Sequence, residues 1–402
     1  MRRICAIAAA LVAACVVCAQ SAKIKELMRE VSRIRQVKWK KTVPTGTMTK
    51  EQFKTYMVRQ MKKDGLTKRK VEELSRIGVK WGFYPEDFDV YEETLKMLEG
   101  SVAAFYDPKS RRVYILKGGG NPLGGMGGPM AQKYNDSVIL HELTHALDDQ
   151  VFRISRHMGV HKRLRDRRND RIMAGKALME GSAVTTQFTY MLGQPTNKAR
   201  PNLGEEFAKQ GLQNPAVAGK PEAMRVELMW PYEAGVKFVH ALLDKGGQEE
   251  LNEAFKNPPV STEQIMHPQE KYFNRDDPTE VKIDEKALGK LLKGWKFLAE
   301  DTLGELFTKV FLKKYVGEAE ATKAAAGWDG DEYAAYADKK KKVLLVWLTV
   351  WDGESDVNEF FEAYRKTVAE KYGVAPRSQT ACCGRRPEIS WSTRRRGRTG
   401  CW

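Results

Sequence analysis

Val138-Ile-Leu-His-Glu-Leu-Thr-His-Ala-Leu147 is an apolar run that holds two histidines and a glutamate at helical spacing. With about 3.6 residues per turn, His141 and His145 lie about 40° apart on one helix face and one turn apart along the axis. Both imidazoles can therefore reach one metal ion, and neutral imidazole is a favoured ligand of Zn²⁺. Glu142 is rotated by about 100° from His141, so it flanks the metal position instead of binding the metal.

This H-E-x-x-H spacing predicts that Glu142 acts as a general base. Zn²⁺ lowers the pKa of a bound water toward roughly 7 and polarises a scissile carbonyl, while the adjacent carboxylate takes the proton. Asn135 or Asp136 is the expected N-cap of the helix. Its apolar flanks predict burial, and buried polar groups need partners that a metal supplies. The alternative interpretation is a helix that carries two surface histidines.

A second histidine pair offers an internal comparison. His157 and His161 have the same i, i+4 spacing, but no glutamate follows His157, and Gly159 lies between the two. The neighbouring side chains are basic and would repel a cation, namely Arg153, Arg156, Lys162, Arg163 and Arg165. We therefore predict a solvated basic stretch at this pair and no second metal site.

Glu180 is the predicted third metal ligand. It is the only acidic residue between Arg171 and Gly204, in a segment otherwise rich in apolar and small residues. An unpaired buried carboxylate is costly, so this one needs a cationic partner. The alternative is an exposed or lysine-paired glutamate. Asp148 lies on the same face as His145, about 4.5 Å further along the helix axis, which suits a group that orients a histidine better than a metal ligand.

These two segments resemble a known enzyme group. His141-Glu-Leu-Thr-His-Ala-Leu-Asp-Asp-Gln150, followed by Ala177-Leu-Met-Glu-Gly-Ser-Ala183, is similar to the gluzincin-type, thermolysin-like zinc metallopeptidases, whose third ligand is a glutamate on a following helix. A metzincin would instead continue with Gly at 148 and His at 151. More narrowly, the chain resembles exported bacterial proteins of the gluzincin type over roughly residues 75–365. Three further stretches carry that resemblance: Phe105-Tyr-Asp-Pro108, Pro231-Tyr-Glu-Ala-Gly-Val-Lys-Phe238 and Pro258-Pro-Val-Ser-Thr-Glu-Gln-Ile-Met-His-Pro268.

The resemblance implies further roles near the zinc. Gluzincins often place a histidine or tyrosine opposite the metal to stabilise the oxyanion, and we predict His267 for this role, with Tyr232 and Tyr272 as alternatives. An aspartate often follows the ligand glutamate by four residues, but Val184 stands there. Asp148 or Asp149 is therefore expected to orient a ligand histidine. We assign Arg111–Leu116 as the edge strand that lines the cleft and pairs with an extended peptide.

The two ends of the chain differ from its body. Residues 1–19 combine Arg2 and Arg3 with an apolar run and small residues at a cleavage position, which predicts a signal peptide and export. The alternative is a lipoprotein anchored through Cys15, because Val12-Ala-Ala-Cys15 resembles a lipobox. No cysteine lies between Gln20 and Ala381, so the body has neither an internal disulfide nor a thiolate zinc site.

Composition fits a folded protein that does not recognise nucleic acid. The 402 residues are 42% hydrophobic and 30% charged, which is enough for a sizeable core. Much of the formal net charge of +16 lies at the ends, and the basic tail, residues 376–402, is predicted to be disordered. Scattered basic residues without a recognition motif argue against specific nucleic-acid binding. Peripheral association of the tail with an anionic envelope surface is the alternative to a solvated tail.

The predicted fold class is α+β, with three regions between the ends. Residues 20–100 form an N-terminal helical region, residues 101–278 a zincin-like catalytic domain, and residues 279–375 a C-terminal α+β unit. Within the first region we predict a capping box at Thr49 and Gln52, a second cap at Thr67, a helix end at Gly78, and a helix from Pro85 to Gly100.

Local patterns predict the remaining elements. Val102–Tyr106 and Arg111–Leu116 form a β-hairpin. The glycine-rich residues 118–128 are either a mobile rim of the cleft or a disordered connector. Helices are expected at Glu222–Lys245 and Gln248–Phe255, with His240 as a packing residue. The C-terminal unit should hold a helix at Leu303–Tyr315, a turn at Trp328–Asp331, a strand at Lys342–Trp351 and a helix at Ser355–Tyr372. Its aspartates suit turn formation better than binding of Ca²⁺, namely Asp329, Asp331 and Asp352.

The predicted function is zinc-dependent hydrolysis of a peptide or protein substrate in the cell envelope or outside the cell. Two alternatives stay open: an exported zinc-binding scaffold without turnover, and a non-enzymatic envelope-binding protein. The intact Glu142 argues against the first, and bound zinc would argue against the second.

Overall fold

The computed structural model describes residues 21–118, 128–157 and 168–373, and the backbone of two short strands in the tail. The predicted signal peptide, the lipobox, most of the glycine-rich stretch and His161 lie outside this description. The described residues combine many helices with two sheets, so the α+β class is confirmed. None of the described helices is both long and apolar enough to cross a membrane.

The N-terminal residues form four helices and one strand. They are α1 (residues 21–35), β1 (Thr45–Met48), α2 (Lys50–Lys63), α3 (Lys68–Trp81) and α4 (Val90–Ser101). The capping box of Thr49 and Gln52 is confirmed, and Thr67 caps α3 as predicted. The predicted end at Gly78 is wrong, because α3 continues to Gly82, whose left-handed φ of 87° ends the helix.

Two features of this region differ from the sequence prediction. The fourth helix does not begin at Pro85, because the Asp89 side chain accepts a hydrogen bond from the backbone N–H of Glu92 and caps α4 there. Strand β1 was not predicted at all. It pairs in parallel with a strand almost seventy residues later in the chain, so no local pattern marks it.

The predicted hairpin is confirmed as β2 (Ala104–Asp107) and β3 (Arg112–Leu116). The Asp107 carboxylate accepts hydrogen bonds from the backbone N–H groups of Lys109 and Ser110, which closes the turn. The strand order is β1-β3-β2, with β3 in the middle. The prediction that Arg111–Leu116 is the edge strand is therefore wrong, because β1 covers its other side and leaves β2 at the edge.

A group of helices follows the small sheet. It contains α5 (Pro129–Phe152), α6 (Ile154–His157), α7 (Asn169–Leu192), α8 (Thr196–Ala199), α9 (Leu203–Leu212), α10 (Pro215–Ala218), α11 (Glu222–Lys256), α12 (Thr262–Met266) and a π-helical turn (Pro268–Tyr272). Helix α5 begins at Pro129, a favoured first residue, so the predicted N-cap at Asn135 or Asp136 is wrong. Asp136 instead forms an ion pair with Lys23 of α1 at 2.8 Å.

Helices α7 and α11 approach each other at two glycines. A Cβ atom on Gly235 would lie 2.0 Å from the carbonyl oxygen of Ala177, and one on Gly181 would lie 2.1 Å from the carbonyl oxygen of Gly235. The two backbones are therefore in contact, and no larger residue fits at either glycine. Helix α11 combines the two predicted helices, which meet at non-helical Gly246 and Gly247.

The C-terminal residues form a mixed unit. It contains α13 (Glu285–Leu291), β4 (Lys296–Asp301), α14 (Gly304–Val316), α15 (Glu318–Ala325), β5 (Trp328–Ala337), β6 (Val343–Trp351) and α16 (Glu354–Tyr372). The second sheet has the order β4-β5-β6-β7-β8, in which β7 (Ser392–Arg395) and β8 (Arg398–Cys401) are the two tail strands. The tail was predicted to be disordered, and the structure differs from that prediction at these eight residues.

The predicted turn at Trp328–Asp331 is wrong, because these residues begin β5 and pair with β6. Their aspartates serve the fold. The buried Asp331 carboxylate accepts hydrogen bonds from the indoles of Trp328 and Trp347, and Asp329 accepts one from the Thr279 hydroxyl at 2.7 Å. Side-chain and backbone donors thus satisfy both carboxylates.

The N-terminal helices share hydrophobic cores with the rest of the chain. Leu27 and Val31 of α1 lie in one cluster with Leu140 and Leu143 of α5. Trp81 of α3 packs against the Trp347 ring of β6, with ring centroids 5.0 Å apart. Helix α1 therefore supports the H-E-x-x-H helix, whereas α3 belongs to the core of the C-terminal unit.

Candidate metal centre

His141 and His145 lie one turn apart on α5, and Glu180 of α7 faces both. The two Nε2 atoms are 3.1 Å apart, and Glu180 Oε2 lies 3.3 Å from His141 Nε2 and 3.4 Å from His145 Nε2. Both histidines are buried. Within the described ranges, these three side chains form a group whose ligand atoms are close enough to hold one metal ion. The structure thus brings together the three ligands that the sequence predicted.

The spacing of these atoms fits a small tetrahedral cation. A tetrahedral ion with metal–ligand bonds of about 2.0–2.1 Å holds its ligand atoms about 3.3–3.4 Å apart. The two Nε2 atoms and Glu180 Oε2 are separated by similar distances. Glu180 Oε2 is also buried without a hydrogen-bond partner in the described chain, although two ring nitrogens lie beside it. A cation between the three atoms would satisfy this oxygen.

The donor set agrees with that geometry. Two imidazoles and one carboxylate are the three protein ligands of several catalytic zinc sites, which leave the fourth position open. The same ligand types bind other divalent first-row ions, so the residues define a cation site and not the element.

The charges around the cluster favour a cation as well. Burial alone would lower the pKa of His145, but the adjacent Glu180 carboxylate raises it to about 9. Burial would raise the pKa of Glu180, but the two imidazoles hold it below its usual range. The carboxylate therefore attracts positive charge into the space between the three side chains.

Gln187 orients one of the ligand imidazoles. Its Oε1 lies 3.1 Å from His141 Nδ1, and its amide nitrogen donates a hydrogen bond to the Ser137 hydroxyl at 3.2 Å. Gln187 follows Glu180 by seven residues on α7, two helical turns, so both side chains lie on one face. That spacing was the signal in the sequence, and the sequence prediction missed it.

The prediction that Asp148 or Asp149 orients a ligand histidine is wrong, because His141 Nδ1 contacts Gln187 and His145 Nδ1 has no hydrogen-bond partner among the described residues. Asp148 accepts hydrogen bonds from Arg35 at 3.0 Å and from the Ser182 hydroxyl at 2.9 Å. Asp149 accepts one from the Tyr106 hydroxyl at 3.0 Å and one from a backbone N–H of α6 at 3.2 Å.

Glu142 lies between the His141–His145–Glu180 cluster and the small sheet. Its Oε2 accepts a hydrogen bond from the backbone N–H of Tyr106 at 2.7 Å, and burial raises the pKa of its carboxyl. The Leu116 N–H donates a hydrogen bond to the Ala103 carbonyl of the opposite strand. In an antiparallel pair, hydrogen-bonded and non-hydrogen-bonded residue pairs alternate. The backbone N–H and C=O groups of Ala104 and Tyr106 therefore point away from β3. Edge strand β2 therefore faces Glu142.

Tyr232 of α11 also borders the cluster. Burial first, and then the nearby Glu180 and Glu142 carboxylates, raise the pKa of its phenol well above the ordinary value. The phenol consequently keeps its proton and can donate a hydrogen bond next to Glu180. Of the three residues predicted to stabilise an oxyanion, this one lies beside the candidate metal ligands.

His267 does not reach the cluster, so its predicted role in oxyanion stabilisation is wrong. Its Nε2 lies 2.9 Å from Glu305 Oε1 on α14. The preceding helix α12 is bound to the start of α7, where the Thr262 N–H donates to Asp170 at 3.1 Å. Asp170 precedes Glu180 by ten residues, which corresponds to about 15 Å along the helix axis. A loop bounded by prolines leaves the direction of its side chains open, so the sequence could not show whether His267 faces the cluster.

Two other sequence candidates have structural contacts. The Tyr272 hydroxyl donates to the Asn257 carbonyl at 2.8 Å, and the buried His240 ring contacts the Thr196 hydroxyl at 3.2 Å. The prediction that His240 is a packing residue is thus confirmed. The second histidine pair is not tested, because the structure describes only the backbone of His157.

Comparison with known proteins bears on the C-terminal unit alone. A family model for a domain of unknown function, DUF8575, matches residues 295–399. This range begins just before β4 and includes neither α5 nor α7. No curated protein and no solved structure matches the chain.

Proposed function

We propose that this protein is an exported zinc metallopeptidase with a zincin-like catalytic domain. One observation carries the proposal: the buried His141 and His145 and the half-buried Glu180 form a triangle with the edge lengths of a tetrahedral metal site, and Glu142 lies directly beside it. The proposal of export rests on the sequence of residues 1–19. A bound Zn²⁺ would supply Lewis acidity, which polarises a scissile carbonyl and acidifies water.

Glu142 would handle the proton in this reaction. Its carboxylate follows His141 directly in α5, so it lies next to the candidate metal position, where it can take a proton from water. The water oxygen bonds to the carbonyl carbon, the C–N bond breaks, and Glu142 returns the proton to the leaving amine. The protonated Tyr232 would donate a hydrogen bond to the oxygen on which negative charge develops.

Strand β2 would hold the substrate backbone. The carbonyl groups of Ala104 and Tyr106 point away from β3, so an extended peptide can add to this edge by β-augmentation. Because Tyr106 also donates its N–H to Glu142, a peptide paired with β2 would lie next to the base.

Metal analysis and a cleavage screen test the proposal together. Purified wild-type protein should contain one zinc per chain and cleave casein or members of a peptide library. His141→Ala and Glu180→Ala should lose the metal, whereas Glu142→Gln should keep metal and fold and lose at least about a hundredfold in activity. His267→Ala is the matched histidine control and should retain both metal and activity.

One alternative is separable in the same assay. A metal-binding scaffold without turnover would also hold zinc through His141, His145 and Glu180. Wild-type protein with full zinc that is inert on the library and indistinguishable from Glu142→Gln would establish the scaffold and refute the peptidase.

A further inference from the structure

A basic cavity of about 780 Å³ lies at the C-terminal end of α5. Cavities of about 300–1,000 Å³ are typical of ligand sites, but those are mostly apolar, whereas this one is lined by charge. Six of the described residues that line it are cationic, and one lining residue, Asp149, is acidic. The cations are Lys40, Lys41, Lys109, Arg111, Arg153 and Arg156.

Most of these cations lack an acidic partner. Lys109 pairs with Asp64 at 2.7 Å, and Lys40 donates to the carbonyl of Gln150 at 2.9 Å. In the part of the chain that the structure describes, no carboxylate lies within ion-pair distance of the other four cations. These are Lys41, Arg111, Arg153 and Arg156. Asp149 does not neutralise them, because its oxygens accept hydrogen bonds from Tyr106 and from the backbone of α6. The cavity therefore presents uncompensated positive charge.

Two of the arginines occupy backbone positions that favour glycine. Arg111 has φ 54° in the hairpin loop, and Arg153 has φ 58° at the C-cap of α5. The left-handed region is unfavourable for residues with a Cβ atom, and glycine is the usual residue in such loops and caps. Two turns that are distant in the sequence thus place their arginines at the same cavity.

The cavity is connected to the candidate metal centre through one residue. The Tyr106 backbone N–H donates to Glu142, while its hydroxyl donates to Asp149 in the cavity wall. Tyr106 belongs to β2, the strand whose free edge faces Glu142. A polypeptide that extends along this edge past Glu142 would therefore place nearby side chains in the basic cavity.

We propose that this cavity is a binding site for acidic side chains of a polypeptide substrate. The inference rests on the proposed peptidase function, which it deepens by naming the substrate class. A peptide suits the site better than a single-stranded nucleic acid, because no aromatic ring for base stacking lies among the described lining residues. The body of the chain keeps a net positive charge without its basic ends, and this charge attracts acidic partners over longer distances.

A binding measurement tests the proposal without turnover. Full-length Glu142→Gln protein is titrated against a fluorescein-labelled decapeptide rich in glutamate and against the same peptide with every Glu replaced by Gln, and fluorescence anisotropy is recorded. The acidic peptide should bind at least tenfold more tightly at low salt, and the difference should shrink as salt screens the charges. Adding Arg111→Gly and Arg153→Gly should weaken binding of the acidic peptide at least tenfold.

Two cations elsewhere provide a control matched in charge and backbone conformation. Arg275 has φ 56° and Lys341 has φ 66°, both are exposed, and neither lines the cavity. Arg275→Gly with Lys341→Gly removes the same charge from the same kind of backbone position and should leave binding within about twofold of the parent. An equal loss in both double variants would reduce the effect to net charge and overturn the proposal.

The remaining outcomes separate this inference from the peptidase proposal. Equal binding of the two peptides, or tighter binding of a single-stranded DNA decamer, would overturn the acidic-peptide site. Tight, arginine-dependent binding of the acidic peptide by zinc-loaded wild-type protein that cleaves no peptide would support the cavity and refute the peptidase. Cleavage of acidic and neutral peptides at equal rates would refute the cavity and support the peptidase.

Discussion

The buried ion pair between Arg35 and Asp148 should be the strongest single link between α1 and α5. Arg35 Nη2 lies 3.0 Å from Asp148 Oδ1, and the two side chains are 0% and 1% exposed. Arg35 Nη1 also donates to Gln248 at 2.6 Å, and Asp148 accepts from Ser182 at 2.9 Å. One guanidinium thus joins α1, α5 and α11.

Arg35→Met keeps much of the apolar stem but leaves the Asp148 carboxylate buried with a single hydroxyl donor. Breaking a buried pair in this way costs about 3–5 kcal/mol of unfolding free energy, because the remaining charge is uncompensated. Arg35→Met with Asp148→Leu removes both charges and leaves only Gln248 and Ser182 without their partners, at about 1 kcal/mol each. The double variant should therefore be more stable than Arg35→Met, with a coupling energy of at least about 2 kcal/mol.

Urea unfolding of metal-free protein, followed by tryptophan fluorescence, measures these free energies. Arg33→Met is the control, since Arg33 forms an exposed pair with Glu30 on the same helix, and such pairs contribute about 0–1 kcal/mol. If Arg35→Met cost no more than Arg33→Met, or if the double variant lost as much stability as Arg35→Met and Asp148→Leu together, the buried pair would not stabilise the fold in this way.

Three other substitutions test separate parts of the structure. Gln187→Ala removes the group that orients His141 and should weaken metal binding about 10–100-fold in a chelator competition; unchanged affinity would contradict that role. Gly235→Ala forces a Cβ atom to within 2.0 Å of a carbonyl and should cost about 1–3 kcal/mol in urea unfolding, whereas Gly289→Ala, with open space around it, should be neutral or stabilising. Burial raises the pKa of Asp170 to about 8 from 3.8, so its contribution to stability is present below about pH 4 and is lost as the pH rises through 8. Relative to Asp170→Asn, the wild type should therefore lose stability between pH 5 and pH 8, and parallel pH profiles would show that this carboxyl does not titrate as described.

The cluster of His141, His145 and Glu180 could be predicted from the sequence because its geometry is local or electrostatic. The i, i+4 spacing fixes His141 and His145 on one face of any helix, whatever the rest of the fold. Glu180 stands out as a lone acid in an apolar segment, so its need for a cationic partner can be inferred without knowing where that partner lies. Gln187 was missed because a neutral amide in a buried helix creates no comparable demand.

The surroundings of the site could not be predicted, because they depend on contacts between distant segments. Whether β2 or β3 is the edge strand depends on β1, which no local pattern marks. His267 was expected to face the cleft, but Glu305, almost forty residues later, determines where its ring lies. Trp328–Asp331 has the composition of a turn, yet pairing with β6 extends it into a strand.

Arg111 and Arg153 show a further reason why sequence patterns did not predict the basic cavity. Turn and cap rules search for glycine or asparagine at left-handed positions, so an arginine there gives no signal of either the turn or its purpose. A left-handed backbone costs an arginine about 1–2 kcal/mol relative to glycine, and two such residues take a sizeable part of a typical stability of about 5–15 kcal/mol. Neither arginine has an acidic partner among the described residues that would offset this cost. Arg275 and Lys341 also have left-handed backbones but lie away from the cavity, so the meeting of Arg111 and Arg153 at one cavity, and not their backbone conformation alone, indicates a binding role.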